Sequence, residues 1–392
     1  MDKTLFANDA PGQLIATTTL KGRDWAFVPD RMPPKWTFPL EMWPLLDEAK
    51  CALATLNGIG QTLPDPQLLL RPLQRREALA SSRIEGTYVT PAQLLLYELG
   101  PAEQDSSDDP DLKSWREVIN YNSALAHGWK EMESLSLMNR VIKEMHAILM
   151  KDVRGSEWRP GDFRQAQVQI ESTARFVPPP HSYVLDLMSD LEKFINTDTK
   201  DFDPLVRCFI AHYQFETIHP FMDGNGRVGR ALLALMICRD LGHTMPWVYM
   251  SNFYDQFNDE YKKALFNVSA RGEWTEWVEF CLRGATFQAN DAIRRCHLFR
   301  EAKNDFHQAI KNPSKRTHQL IDHLFVSPIV TVPSVKDEFR VNYKTAKADI
   351  DRLVHYGVLR RMNNPRRPAA FCCQRIMDIA YTEVTQPEKE EN

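Results

Sequence analysis

The chemistry in this chain is concentrated in one run, His219-Pro220-Phe221-Met222-Asp223-Gly224-Asn225-Gly226-Arg227-Val228-Gly229-Arg230. His219 is the side chain in it that can accept a proton near neutral pH. Asp223 offers a hard oxygen suited to Mg²⁺. Gly224, Asn225 and Gly226 give flexible backbone where a helix begins, so free N–H groups and the positive end of its dipole form an anion site. Arg227 and Arg230, three apart, fall on one face of the first turn and can add forked donors to the same anion. Donors for several phosphates, one metal carboxylate and one base suit attack on a nucleoside triphosphate.

Helices must hold this run. Before it, residues 203–218 place Leu205, Val206, Phe209, Ile210 and Tyr213 at helical spacing, with Pro204 fit for a first turn. That helix must stop by Pro220. After the run, the apolar stretch 231–238 reads as a buried helix. The letters from Gly224 to Gly229 also spell G-x-G-x-x-G. A dinucleotide fold would need a strand in front and an acidic residue about 20 positions on, and neither is present.

The spacing H-P-F-x-D-G-N-G-R-x-x-R resembles the signature of the Fic family, and Ser81, Glu85 and Gly86 resemble that family's inhibitory motif. The resemblance covers roughly residues 45–290 and implies transfer of AMP from ATP to a Ser, Thr or Tyr hydroxyl of a protein, or of the chain itself. By it, His219 is the base and Asp223 the Mg²⁺ ligand. Gly224, Asn225 and Gly226 bind the α- and β-phosphates, Arg227 holds the β-phosphate and Arg230 the γ-phosphate. Gly226 stands where family members that move a phosphate carry lysine. Glu85 pairs with Arg230 and inhibits, and the same carboxylate can serve removal of AMP. Tyr254, Asn258 and Tyr261 are the adenine-pocket candidates, although Phe257 stands where relatives usually have Asn. A hairpin flap at 165–177 docks the target protein by strand addition. The competing reading is a nucleotide-sensing, DNA-binding regulator without catalysis.

The remainder of the chain frames this site. At 392 residues two or three domains are expected, and a net charge of −4 excludes a polycation that coats nucleic acid or membrane. Seven scattered cysteines show no disulfide framework, and no apolar run approaches a membrane span, so a cytoplasmic protein with no membrane partner is expected. The fold class is mostly α: a Fic helical bundle with a small β-hairpin flap, plus a C-terminal winged helix-turn-helix domain. Residues 1–40 read as an extended, irregular arm, and 41–113 as a helical region with the inhibitory motif and an acidic linker at 100–113. The catalytic core follows at 114–290, with one helix at 273–282 and the next beginning near 285; that second helix links the core to the winged helix over 291–316. Residues 317–378 form the winged helix and 379–392 a polar tail. Between 336 and 375, ten Lys or Arg face four Asp or Glu, a surface that leaves DNA open as a partner. Asp349 and Asp351 on the presumed recognition helix would repel phosphates, which favours an interaction or dimer-forming module. A homo-oligomer stays open.

Overall fold

Two helices buried on nearly every face lie at the centre, their few buried charged side chains belonging to the site described below. The computed structural model describes residues 1–19, 22–63, 65–100, 110–133, 136–170, 175–197, 201–362 and 369–383. The chain opens with an antiparallel hairpin, β1 (Gly12–Thr19) and β2 (Gly22–Pro29), in register from Gly12 opposite Pro29 to Thr19 opposite Gly22. This corrects the irregular arm expected for residues 1–40. Of the prolines that suggested it, Pro33, Pro34 and Pro39 follow the hairpin and Pro11 and Pro29 stand at its ends, whereas Leu14, Ile15 and Thr17 to Thr19 favour a strand. The segment does lie on the body: Ala7 N–H donates to the Ala270 carbonyl at 2.7 Å and Phe27 N–H to that of Val177 at 3.0 Å.

Helices follow in chain order: α1 (Trp43–Thr62), α2 (Gln67–Ile84), α3 (Pro91–Glu98), α4 (Pro110–Met132), α5 (Asn139–Leu149), α6 (His181–Asn196), α7 (Pro204–Ile218), α8 (Asn225–Asp240), α9 (Ser251–Gln256), α10 (Asn258–Arg271) and α11 (Trp274–Ala309). Helix α1 runs through Gly58 and Gly60. A Cβ on Gly60 would meet the Trp247 ring at 2.3 Å, so this glycine permits close packing and does not end the helix. The same holds in α11, which is one helix where two were expected: Gly284 admits the ring of Phe253. Of the acidic stretch 100–113, residues 101–109 lie outside the described residues and Pro110 already begins α4.

Helices α7 and α8 form the core pair, flanked by α6, α5, α4 and α2. Between α5 and α6 the expected flap is a single bridge, with Ile170 and Phe176 exchanging N–H···O bonds of 2.8 and 3.0 Å. Its tip, 171–174, lies outside the described residues.

The C-terminal unit runs α12 (Lys315–Val326), β3 (Ile329–Thr331), α13 (Val332–Glu338), α14 (Tyr343–His355), β4 (Arg360–Arg361), β5 (Ala370–Cys372) and α15 (Gln374–Tyr381). Its antiparallel sheet has the order β3-β5-β4. On α14, Asp349 faces inward and accepts from Arg316 Nε at 2.5 Å, so it does not stand on the outer surface as expected. Asp351 pairs with Lys347 at 2.5 Å. Arg366 and Arg367 lie outside the described residues. Among the described residues no helix is long and apolar enough to cross a membrane.

Candidate active site

Helix α7 ends because His219 takes a left-handed conformation, φ 51°, immediately before Pro220. The loop then turns into α8 through Gly224, φ 75°, at the N-cap. A side chain would be strained at that φ, and a Cβ there would also meet Met150 Sδ at 2.8 Å. The buried Asn225 side chain closes the loop: its Oδ1 accepts from Phe221 N–H at 2.7 Å and its Nδ2 donates to the Phe221 carbonyl at 2.9 Å. Asn225 therefore holds the loop with its side chain, leaving its main chain at the start of the helix. His146 of α5 braces the loop from below. Its ring stacks on Phe221 at 3.8 Å, Nδ1 accepts from Gly161 N–H at 2.8 Å, and Nε2 lies 3.0 Å from the Asp223 carbonyl. Burial lowers the His146 pKa to about 4, so the ring is neutral and donates from Nε2.

His219 forms part of the wall of a cavity of about 340 Å³ shared with Glu85, Glu216, Gly226, Arg230, Tyr261 and Lys262, with Ile170 and Phe176 of the flap along one side. Its Nδ1 faces the Glu216 carbonyl at 3.3 Å, which leaves the Nε2 lone pair free. Burial, then the Arg164 cation, bring its pKa down to about 4 against the opposing charge of Glu85. The imidazole is thus an unprotonated acceptor at neutral pH.

Arg230 is buried in the same cavity wall, where Nε donates to Ser81 Oγ at 2.9 Å and Nη2 to the Ser81 carbonyl and to Glu85 Oε1, each at 2.8 Å. Burial opposes the charge of Glu85, but Arg230 outweighs it and holds the carboxyl below its usual range. The carboxylate also lies against the start of α8: a Cβ on Gly226 would come within 2.2 Å of Glu85 Oε1. The chain's own carboxylate thus sits beside the helix start that the sequence reads as an anion site. Gly86, φ 85°, turns the backbone just past it.

The two arginines diverge, contrary to the shared face expected of them. Arg227, 1% exposed, donates to Glu117 Oε2 of α4 at 3.1 Å, and Thr87 Oγ1 donates to the same oxygen at 2.7 Å. It is absent from the cavity wall because a buried carboxylate already claims it. Asp223, about a third exposed, accepts from Gly224 N–H at 2.6 Å and lies 3.8 Å from Arg227. Among the described residues no group of three metal-ligating side chains occurs. One partly open carboxylate still fits Mg²⁺, which keeps waters and takes phosphate oxygens. Of the adenine-pocket candidates, Tyr261 lines the cavity, whereas Tyr254 stacks behind it at 4.3 Å with its hydroxyl 3.4 Å from Cys281 Sγ. Asn258 begins α10 outside the cavity lining.

Sequence reasoning missed Glu216, Glu117, His146, Arg164 and Lys262. Glu216 alone carries a local signal, since it precedes His219 by three positions. Burial and the nearby Glu85 raise its pKa to about 7 against the pull of Arg230, and its buried Oε1 has no partner among the described residues.

The Fic/DOC family N-terminal model matches residues 43–130 and the Fic/DOC family model residues 136–237. Protein adenylyltransferase fic-1 of Caenorhabditis briggsae is 36% identical over 138 residues, which is 33% of this chain and 25% of that protein. Protein adenylyltransferase Fic of Drosophila grimshawi is 31% identical over 197 residues, 50% of this chain and 38% of that one. The chain thus spans well under half the length of these relatives. In fold it is similar to a Fic family protein from Desulfovibrio desulfuricans G20, with 21% identity, a TM-score of 0.57 and coverage of 87% of this chain and 98% of the other. Residues 43–130 are thus a Fic/DOC family N-terminal domain and residues 136–237, the His219 loop included, a Fic/DOC family domain.

Proposed function

We propose that the chain is a protein adenylyltransferase, moving AMP from ATP to a Ser, Thr or Tyr hydroxyl of a target protein and releasing pyrophosphate. The observation that carries this reading is His219 itself, an unprotonated acceptor in the wall of the cavity that also holds Arg230 and the open start of α8. Binding a nucleotide needs no base, so a free acceptor there favours group transfer. The relatives named protein adenylyltransferase support the same reading.

The hydroxyl oxygen attacks the α-phosphorus and its proton passes to His219 Nε2, while the bond to the oxygen bridging the α- and β-phosphates breaks. The amides at Asn225 and Gly226 would face the charge that develops on the phosphate oxygens, and Gly224 N–H would join them by leaving Asp223 Oδ1. Arg230 orients the γ-phosphate. Arg227, held by Glu117, supplies fixed positive charge behind the loop and reaches the β-phosphate only by sharing that carboxylate. Asp223 would hold Mg²⁺, which neutralises phosphate charge when bound. Tyr261, Ile170 and Phe176 flank the space left for the base and ribose. The main chain of the flap beside His219 is where an extended target segment would add.

Glu85 keeps this enzyme at rest by withholding Arg230 from the γ-phosphate. Since it faces the same cavity, its carboxylate would also orient a water for removing AMP from a modified target. Incubating the chain with labelled ATP and Mg²⁺, then measuring the mass of the protein, tests the activity; addition of one AMP is expected, and addition of a bare phosphate would contradict it.

A further inference from the structure

Arg164 is 3% exposed, and among the described residues no carboxylate lies within ion-pair reach of it. A buried cation without a counter-ion is costly and is retained only where hydrogen bonds use it fully. Its guanidinium spends its donors on four carbonyls. Nε donates to His219 at 2.8 Å, Nη1 to Ala166 at 3.0 Å, and Nη2 to Pro179 at 2.5 Å and Ile218 at 3.3 Å. Its own N–H donates to the Pro220 carbonyl at 2.9 Å. Ala166 and Pro179 are the two roots of the flap, and Ile218 to Pro220 is the bend that sets the base.

We propose that Arg164 is the positioning residue that couples the flap to the base: one guanidinium fixes both roots of the flap and the left-handed bend at His219, so a target segment and the proton acceptor share one reference point. This deepens the transfer reading and rests on it. A side chain serving only to hold the bend would have no use for Ala166 and Pro179, and one serving only the flap would have no use for His219. The choice of arginine has an electrostatic consequence as well. The groups facing His219 are Arg164 beneath it, Glu216 on its own helix, Glu85 at the end of α2, and Arg230 and Lys262 across the cavity. Arg164 is the cation among them that most disfavours a protonated imidazole, and the Glu85 carboxylate opposes it. Substitution by a neutral residue would therefore raise the His219 pKa and loosen the flap together.

The test uses the full chain in the Glu85→Gly background, with Arg164→Gln and Arg164→Lys. Two readouts do not require turnover: hydrogen exchange of flap amides such as Ile170 and Phe176, and the NMR titration of His219. Arg164→Gln is expected to speed flap exchange about tenfold and to raise the His219 pKa by about one unit. The acid limb of automodification should move up with it. Arg164→Lys keeps the charge without the fork, so the titration should return while flap exchange stays fast. Either readout unmoved in Arg164→Gln overturns the coupling. Should that variant not fold by circular dichroism, the lysine variant decides: fast flap exchange with the parental titration supports the proposal, and parental exchange overturns it. If the Glu85→Gly parent incorporates no AMP, the transfer reading fails while both turnover-free readouts still judge Arg164.

Discussion

In the proposed transfer Glu85 takes the Arg230 contact that an incoming phosphate would need, and its removal should change activity more than stability. A charged hydrogen bond of this kind is worth about 1.5–3 kcal/mol when sealed from water. With the Glu85 side chain 35% exposed, about 1–2 kcal/mol is the fitting figure, a factor of roughly 5–30 in competent complex. Glu85→Gly should therefore raise automodification by about tenfold at saturating ATP and Mg²⁺, and an unchanged rate would leave Glu85 without an inhibitory role. The base makes a separate claim about pH. Because the His219 pKa is lowered to about 4, the acceptor is unprotonated throughout the neutral range. The rate attributable to it should stay flat from pH 8 to about 5 and fall as pH drops through about 4. An acid limb centred near 6.5 in the Glu85→Gly background would show that His219 is not held unprotonated as described. Asp223→Ala should abolish the Mg²⁺ dependence of transfer along with most of the rate, read as incorporation against Mg²⁺ concentration.

The element that places Glu85 is α2, and a buried carboxylate about two turns upstream fixes it. Glu77 of α2 accepts from Tyr121 Oη of α4 at 2.7 Å and from Ser251 N–H of α9 at 3.0 Å, with the Ser251 hydroxyl donating as well. Glu77→Ala would leave these buried donors unpaired at a cost of about 2–4 kcal/mol, whereas Glu77→Gln keeps an acceptor and should lose less. Thermal unfolding of the two variants checks the order. Nothing in the sequence marks Glu77, because its partners come from Tyr121 and Ser251, far along the chain. The helix-loop-helix around His219 was legible for the opposite reason: proline, glycine and apolar spacing fix it locally. The break expected between 282 and 285 is absent because Gly284 makes room for Phe253, as Gly60 does for Trp247, contacts that only the packed structure reveals. The first hairpin was obscured by the prolines that follow it. Arg227 was read with Arg230 because spacing reports direction along a helix, and the buried Glu117 that turns Arg227 away is 110 residues distant.

Across the whole molecule, α2 joins the active site to the C-terminal unit. Arg75 donates to the Val326 carbonyl at 2.6 Å and pairs with Glu98, Arg76 pairs with Asp291 of α11 at 2.8 Å, and Arg295 donates to the Thr382 carbonyl at 2.8 Å. The helix that ends in Glu85 is thereby held between the α7–α8 core and the unit that follows α11. The inward turn of Asp349 removes one repulsive charge from the outer face of α14, yet Asp351 and its Lys347 partner remain there. Proton removal by His219 is the step on which the proposed AMP transfer depends. The most direct test compares Glu85→Gly with Glu85→Gly/His219→Ala, supplied with ATP labelled at the α-phosphate and Mg²⁺, while nucleotide binding is followed in parallel. The account predicts that both variants bind ATP alike and that the second incorporates label at least about a hundredfold more slowly. Equal incorporation by the two would contradict it.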